Sequence, residues 1–143
     1  MTDKIGDQTF RASGNKELWP EMTYGGALSF GRRRYSRDLA DVDVVISGIP
    51  YDNAVTYRPG TRLGPRAIRA GSVQLTELKH FPTGIEPCEE LSLIDYGDCM
   101  INPHDPTSVF DTIEAHADHI LASGAKMLSL GGDHSVAYPL LKA

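Results

Sequence analysis

Cysteine is scarce in this sequence: Cys88 and Cys99 are the two present in 143 residues. That is too few for the disulfide frameworks that brace small secreted domains, so both are expected as free thiols in a cytoplasmic setting. No cationic stretch followed by an apolar one reads as a secretory leader. Long hydrophobic runs are missing too, and nothing approaches the roughly 18 apolar residues that a bilayer span needs. Positive charge is the minority, with 14 Lys and Arg against 19 Asp and Glu for a formal charge of −5, which argues against a nucleic-acid footprint. The basic cluster GRRRYSR, Gly31 to Arg37, is isolated and reads as a solvated surface segment. What remains, 41% hydrophobic and 23% charged residues, fits one globular domain with a real core.

Along the chain, residues 1–35 lack a helical or strand period and read as an irregular arm, which Trp19 and Tyr24 could pin to the rest. The domain is expected over residues 36–143. Val42, Val44, Val45 and Ile46 form a nearly continuous β-branched run, the pattern of a strand buried on both faces. A loop rich in turn formers follows, then a helix opened by Pro65 with Ile68 and Leu75 on its apolar side. A second strand is read over Leu91 to Asp98. A helix capped by Asp105 and started by Pro106 is expected to run to about Ser123, with Gly124 as its stop. Its stripe is Val109, Phe110, Ile113, Ala117, Ile120 and Leu121. KMLSL makes a third strand, GGDHS a turn, and VAYPLLKA a last helical fragment interrupted at Pro139. Strand and helix in alternation predict parallel α/β packing, with ligands beyond the carboxyl ends of the strands. SGIPYDN, DYGDC and GGDHS all fall at that edge.

Within GGDHS, two glycines allow a sharp turn and close approach to a ligand, while Asp133 and His134 supply a carboxylate and an imidazole. A metal or an anion suits them; so does a plain helix cap beside a surface histidine. Glu114, His116 and Asp118 alternate as metal ligands would on a strand, but at about 100° per residue a helix sets neighbours in this triplet about 160° apart. We read EAHAD as a decoy, with Glu114 and Asp118 solvated and His116 flanking the buried stripe. The arginines of YRPGTRLGPRAIR could cradle phosphate at a helix start, yet P-loop and dinucleotide spacings are both missing. Pairing to acids or to a neighbouring subunit is the favoured role. Asp95 and Asp98 read as turn or capping residues, with contact to an active site as the alternative.

Taken together, GIPYDNAVTYRPGTRLGPRAIR, LSLIDYGD and AHADHILASGAKMLSLGGDHSVAYPLLKA resemble the first half of a ureohydrolase, the family of arginases and agmatinases, with the agmatinase branch most alike. The likeness runs from about Asp43 to Ala143. It implies a three-layer α/β/α fold on a parallel sheet, of which this chain would carry the first three βα units, leaving the sheet incomplete. It also implies a binuclear Mn2+ centre that generates hydroxide, and release of urea from a small cationic guanidino substrate, most readily agmatine giving putrescine. The histidine of the GGDH motif assigns His134 as a manganese ligand, with Asp133, Asp52 and Asn53 as candidates for the loops around the site. The family's other ligands come from a D-A-H-x-D block and a D-x-D block that lie beyond GGDH, and no such block follows His134 in this sequence.

The expectation is therefore that these 143 residues alone neither hold manganese nor release urea, and that the third strand is left without its neighbour. Other readings are a guanidinobutyrase or another guanidino-acid amidinohydrolase, a non-catalytic truncated assembly module, and an anion binder built on the arginine loop. For the complete protein the resemblance implies a cytoplasmic homo-oligomer.

Overall fold

The computed structural model describes residues 24–75 and 79–143. Trp19 and most of the expected arm lie outside them, and Tyr24 is exposed. Four strands, β1 (Arg34–Tyr35), β2 (Val44–Ile49), β3 (Leu93–Asp98) and β4 (Lys126–Gly131), form one sheet in the order β1-β3-β2-β4 with every pairing parallel. The expected three strands are thus joined by a fourth that was missed: two residues are too short to carry a period. Arg34 and Tyr35 pair with Ile94 and Asp95, so the arm expected over residues 1–35 enters the sheet at its end. Among the described residues β4 pairs with β2 alone and is an edge.

Helices α1 (Gly64–Ser72) and α2 (Pro87–Glu90) precede β3, α3 (Val109–Leu121) lies between β3 and β4, and α4 (Ala137–Lys142) follows β4. Val45, Ile94 and Tyr96 pack against Ile120 and Ala125 on the α3 side, and Ile49 and Cys99 against Val109, Ile113 and Val136. The opposite face carries Ile46, Leu93 and Leu130 with Phe30 and Cys88. Both cysteines are free thiols. No helix among the described residues is long and apolar enough to cross a membrane.

Four expectations need correction. Helix α3 starts at Val109 rather than Pro106, because Asp105 folds the preceding residues into a turn of their own, accepting from the Thr107 hydroxyl at 2.6 Å. Helix α4 runs through Pro139, which sits in the first turn, where a missing N–H leaves no intrahelical bond unmade. Helix α1 ends at Ser72, buries Pro65, Arg69 and Ser72 and leaves Ile68 exposed, and Leu75, in the turn after it, is exposed too, so its inner side is largely polar. The GRRRYSR cluster is likewise solvated only in its second half, at Tyr35 and Arg37. Arg32 and Arg33 are buried, and their guanidinium groups donate to the carbonyls of Gly25, Ala27, Gly31 and Cys88.

His116 of α3 meets the sheet at Ser47, with its Nε2 2.8 Å from the Ser47 hydroxyl. That hydroxyl spends its one hydrogen on the Gly97 carbonyl, which can only accept, so Nε2 carries a hydrogen and donates. Burial pushes the imidazole below its ordinary pKa, helped by the charges of Arg37 and His119 and opposed by Asp98, while the Tyr96 ring packs edge-on. Above about pH 6.5 both folded and unfolded imidazoles are neutral; as pH falls below it, the unfolded chain takes up the proton first and folding stability declines. We expect the urea midpoint to drop between pH 7 and 5.5, and His116→Asn to flatten part of that slope. Equal slopes in the two proteins would refute the assignment.

Candidate functional site

The carboxyl ends of β2, β3 and β4 open into loops on one edge, and two of those loops are tied together. Past the end of the β2–β4 ladder, the Gly132 amide donates to the Ile49 carbonyl at 2.9 Å and the Asp133 amide to that of Tyr51 at 2.8 Å. Gly132 is required there, because a Cβ would overlap the Tyr51 carbonyl oxygen. Asp133 then caps a short 3-10 turn, His134–Val136: its Oδ1 accepts from the Ser135 amide and hydroxyl. Its Oδ2 accepts from the Ala54 amide at 2.8 Å, 79 residues away in sequence. Asp133 is buried by this arrangement, and His134, next in the chain, is exposed.

Asp52 is buried at the start of the other loop. Its Oδ2 accepts from the amides of Gly60 and Arg62, and its Oδ1 pairs with the Arg62 guanidinium. The side-chain hydrogen bond from Arg62 is the main reason its carboxyl is held down at about 2, against burial that would raise it; the Gly60 and Arg62 amides add to the effect. Asn53 is exposed, with its Oδ1 3.5 Å from Arg62. Of the loop's other arginines, Arg58 lies over the Tyr57 ring at 5.0 Å. Arg69 reaches across to β3, bonding both oxygens of Asp95 and one of Asp98. Pairing to acids therefore holds for Arg62 and Arg69. Asp95 accepts from the Gly97 amide two residues on, the capping role expected of it, and is also the buried partner of a helix.

A cleft of about 310 Å³ separates the loops after β2 and β3, lined by Tyr51, Asp52, Arg62, Cys99, Met100 and Ile101 among others. Burial lifts the Cys99 thiol to about 11, which keeps it protonated and unreactive.

His134, Asp133, Asp52 and Asn53 are thus brought to one edge. Among the described residues, however, no three His, Cys, Asp or Glu side chains are grouped to hold a metal ion. Every carboxylate oxygen of Asp133 and Asp52 already accepts from the protein, which leaves the exposed His134 imidazole and the Asn53 amide oxygen as the groups of the four open to an ion. These residues do not by themselves make a metal centre. EAHAD does not complete one. Glu114 pairs with Lys142 at 2.5 Å, His116 turns to Ser47, and Asp118 faces solvent. Sequence reasoning missed the Ala54 tether and the Arg69–Asp95 pair.

A parallel α/β domain with a glycine turn, a tied pair of loops and an exposed imidazole at the carboxyl edge of its strands belongs to the class that places ligands at that edge. The profile of the Arginase family matches residues 42–143. An agmatinase of Chromobacterium violaceum is 55% identical over the whole of this chain and 45% of its own length. An agmatinase of Neisseria meningitidis is 47% identical over 71% of this chain and 33% of its own. A crystal structure of a hypothetical agmatinase from Burkholderia thailandensis superposes with a TM-score of 0.85 at 53% identity, covering 96% of this chain and 44% of that one. Proclavaminate amidino hydrolase from Streptomyces clavuligerus follows, with a TM-score of 0.74 at 31% identity over 85% and 40%. The chain belongs to the arginase family, and it spans less than half the length of these relatives.

Proposed function

We propose that residues 36–143 contribute the His134 loop to a manganese-dependent ureohydrolase that cleaves a guanidinium C–N bond, with agmatine as the preferred substrate and putrescine and urea as products. The reading takes the full-length protein as a cytoplasmic homo-oligomer, with His134 as one ligand of its metal centre. One observation carries it: in a chain of the arginase family, the Asp133 clamp presents an exposed imidazole beside the Asp52–Ala54 loop, at the edge where such sheets bind ligands. The metal, when bound, would supply the electrophile and the activated water; this chain's own residues hold one ligand and shape two walls.

A single imidazole gives neither the charge nor the chelation that divalent manganese needs. The purified chain is therefore expected to keep no stoichiometric manganese after dialysis and to release no urea from agmatine. Joined to the remaining part of the C. violaceum relative, the same residues should release urea in a metal-dependent way, and His134→Ala in that chimera should lower the rate about 100-fold or more. Equal activity with His134 removed would overturn the ligand assignment. Faster turnover of 4-guanidinobutyrate or arginine than of agmatine would overturn the substrate.

A further inference from the structure

We infer that residues 52–62 are a strap pinned by two carboxylates, and that Asp133 is the positioning residue that fixes His134 against it. Asp52 closes the loop on itself: the Gly60 and Arg62 amides and the Arg62 guanidinium all converge on its carboxylate. Asp133 pins the same loop from outside, through the Ala54 amide. Between these pins the segment has no freedom to swing without breaking a part-buried hydrogen bond, while its tip, Tyr57 and Arg58, stands in solvent. The hydrogen bonds from the Gly132 and Asp133 amides to the Ile49 and Tyr51 carbonyls tie the two loops together where the β2–β4 pairing ends, so the strap and the His134 turn rise as one unit.

The chemistry calls for a carboxylate at position 133. Oδ1 accepts from Ser135 and Oδ2 from Ala54, so both oxygens must be acceptors at once. Asparagine has one acceptor oxygen, and two donors at Ser135 against one at Ala54 turn it to Ser135, so its amide would face the Ala54 N–H donor to donor. Asp133→Asn therefore keeps the cap on Ser135 and loses the strap, while Ser135→Ala loses one bond of the cap and keeps the strap. Neither carboxylate touches reacting atoms: each is spent on protein donors and acts through what it holds in place. The strap stands on geometry alone, and its importance for His134 rests on the function proposed above.

Amide exchange and imidazole resonances of the 143-residue chain test this without metal or turnover. In Asp133→Asn, exchange at Ala54 should accelerate about tenfold or more while amides of β2 and α3 keep their rates, and the His134 imidazole resonances should move. Chymotrypsin should cut after Tyr57 faster as well. In Ser135→Ala, Ala54 should stay protected. Ala54→Pro, which deletes the donor and leaves the carboxylate untouched, should reproduce the His134 shift and covers the case that Asp133→Asn fails to fold. Unchanged exchange at Ala54 in Asp133→Asn, or a freed Ala54 with His134 unmoved, overturns the inference. Failure of the proposed function would instead leave these signals as expected and the chimera without urea release.

Discussion

Arg69→Met is expected to cost about 3–5 kcal/mol of folding stability, the range for stripping one partner from a buried ion pair. Asp95 has no exposed surface and its carboxylate is fully engaged: Arg69 donates to Oδ2 at 2.7 Å and Oδ1 at 2.9 Å, the Phe30 amide to Oδ2 and the Gly97 amide to Oδ1. Arg69 itself is buried and donates a third bond to Asp98 at 2.7 Å. Burial alone would push the guanidinium pKa down, but the bonds to Asp95 and Asp98 more than offset it and hold the group charged. Removing the arginine leaves two backbone donors to balance a full negative charge between helix and sheet. The loss is expected to be non-additive: Arg69→Met with Asp95→Leu should recover much of it, because an apolar pair of similar volume no longer desolvates a charge. Urea unfolding of the three variants measures this. A cost under about 1 kcal/mol for the single change would mean that the pair is not what holds α1 to β3.

The same pair marks where the sequence stops being legible. β2 and β3 declare themselves because a parallel strand covered on both faces is a run of β-branched and aliphatic residues, and α3 because Val109, Ile113, Ala117 and Ile120 repeat at helical spacing. Each is a local signal. The buried arginines have none: Arg32, Arg33 and Arg69 carry the residue type that most resists burial, and what makes burial tolerable is a carbonyl or carboxylate brought in by the fold. For Arg33 that partner is the Cys88 carbonyl, 55 residues on. Within GRRRYSR, Gly31 to Arg33 thus have the composition of a surface and the environment of a core, while Tyr35 and Arg37 stay exposed.

At the candidate site the split is similar. The glycines, the Asp133 cap and the exposed His134 follow from five adjacent residues. The partner of Asp133 is instead the amide of Ala54, a group that every residue except proline possesses and that no side-chain pattern can announce. Asp52 was expected in a loop around the site, and it shapes that loop through Gly60 and Arg62 and keeps no oxygen free. Carboxylates near a ligand edge divide into those that meet the ligand and those that hold the loops, and only their hydrogen-bond partners separate the two.

Gly132→Ala should destabilise the chain by about 3 kcal/mol, the upper part of the overpacking range, whereas Gly131→Ala, one residue earlier, should stay within about 0.5 kcal/mol. At Gly131 a new methyl would meet Val136 Cγ2 at 3.6 Å, an ordinary contact. At Gly132 it would overlap the Tyr51 carbonyl oxygen and lie 2.7 Å from the Tyr51 nitrogen and 2.8 Å from its carbonyl carbon. These are backbone atoms and cannot turn aside as a side chain can. Nor can the backbone retreat freely, because the Tyr51 amide donates to Ile49 and its carbonyl accepts from Asp133. Relief therefore means parting the loops after β2 and β4, and with them the contact between the strap and the His134 turn. Urea midpoints of the two variants give the stabilities, and exchange at the Asp133 and Ala54 amides reports the separation directly. If both variants unfold alike, or if Gly132→Ala unfolds early with Ala54 still protected, the loops are not held at their backbones and the geometry of this edge has to be set elsewhere.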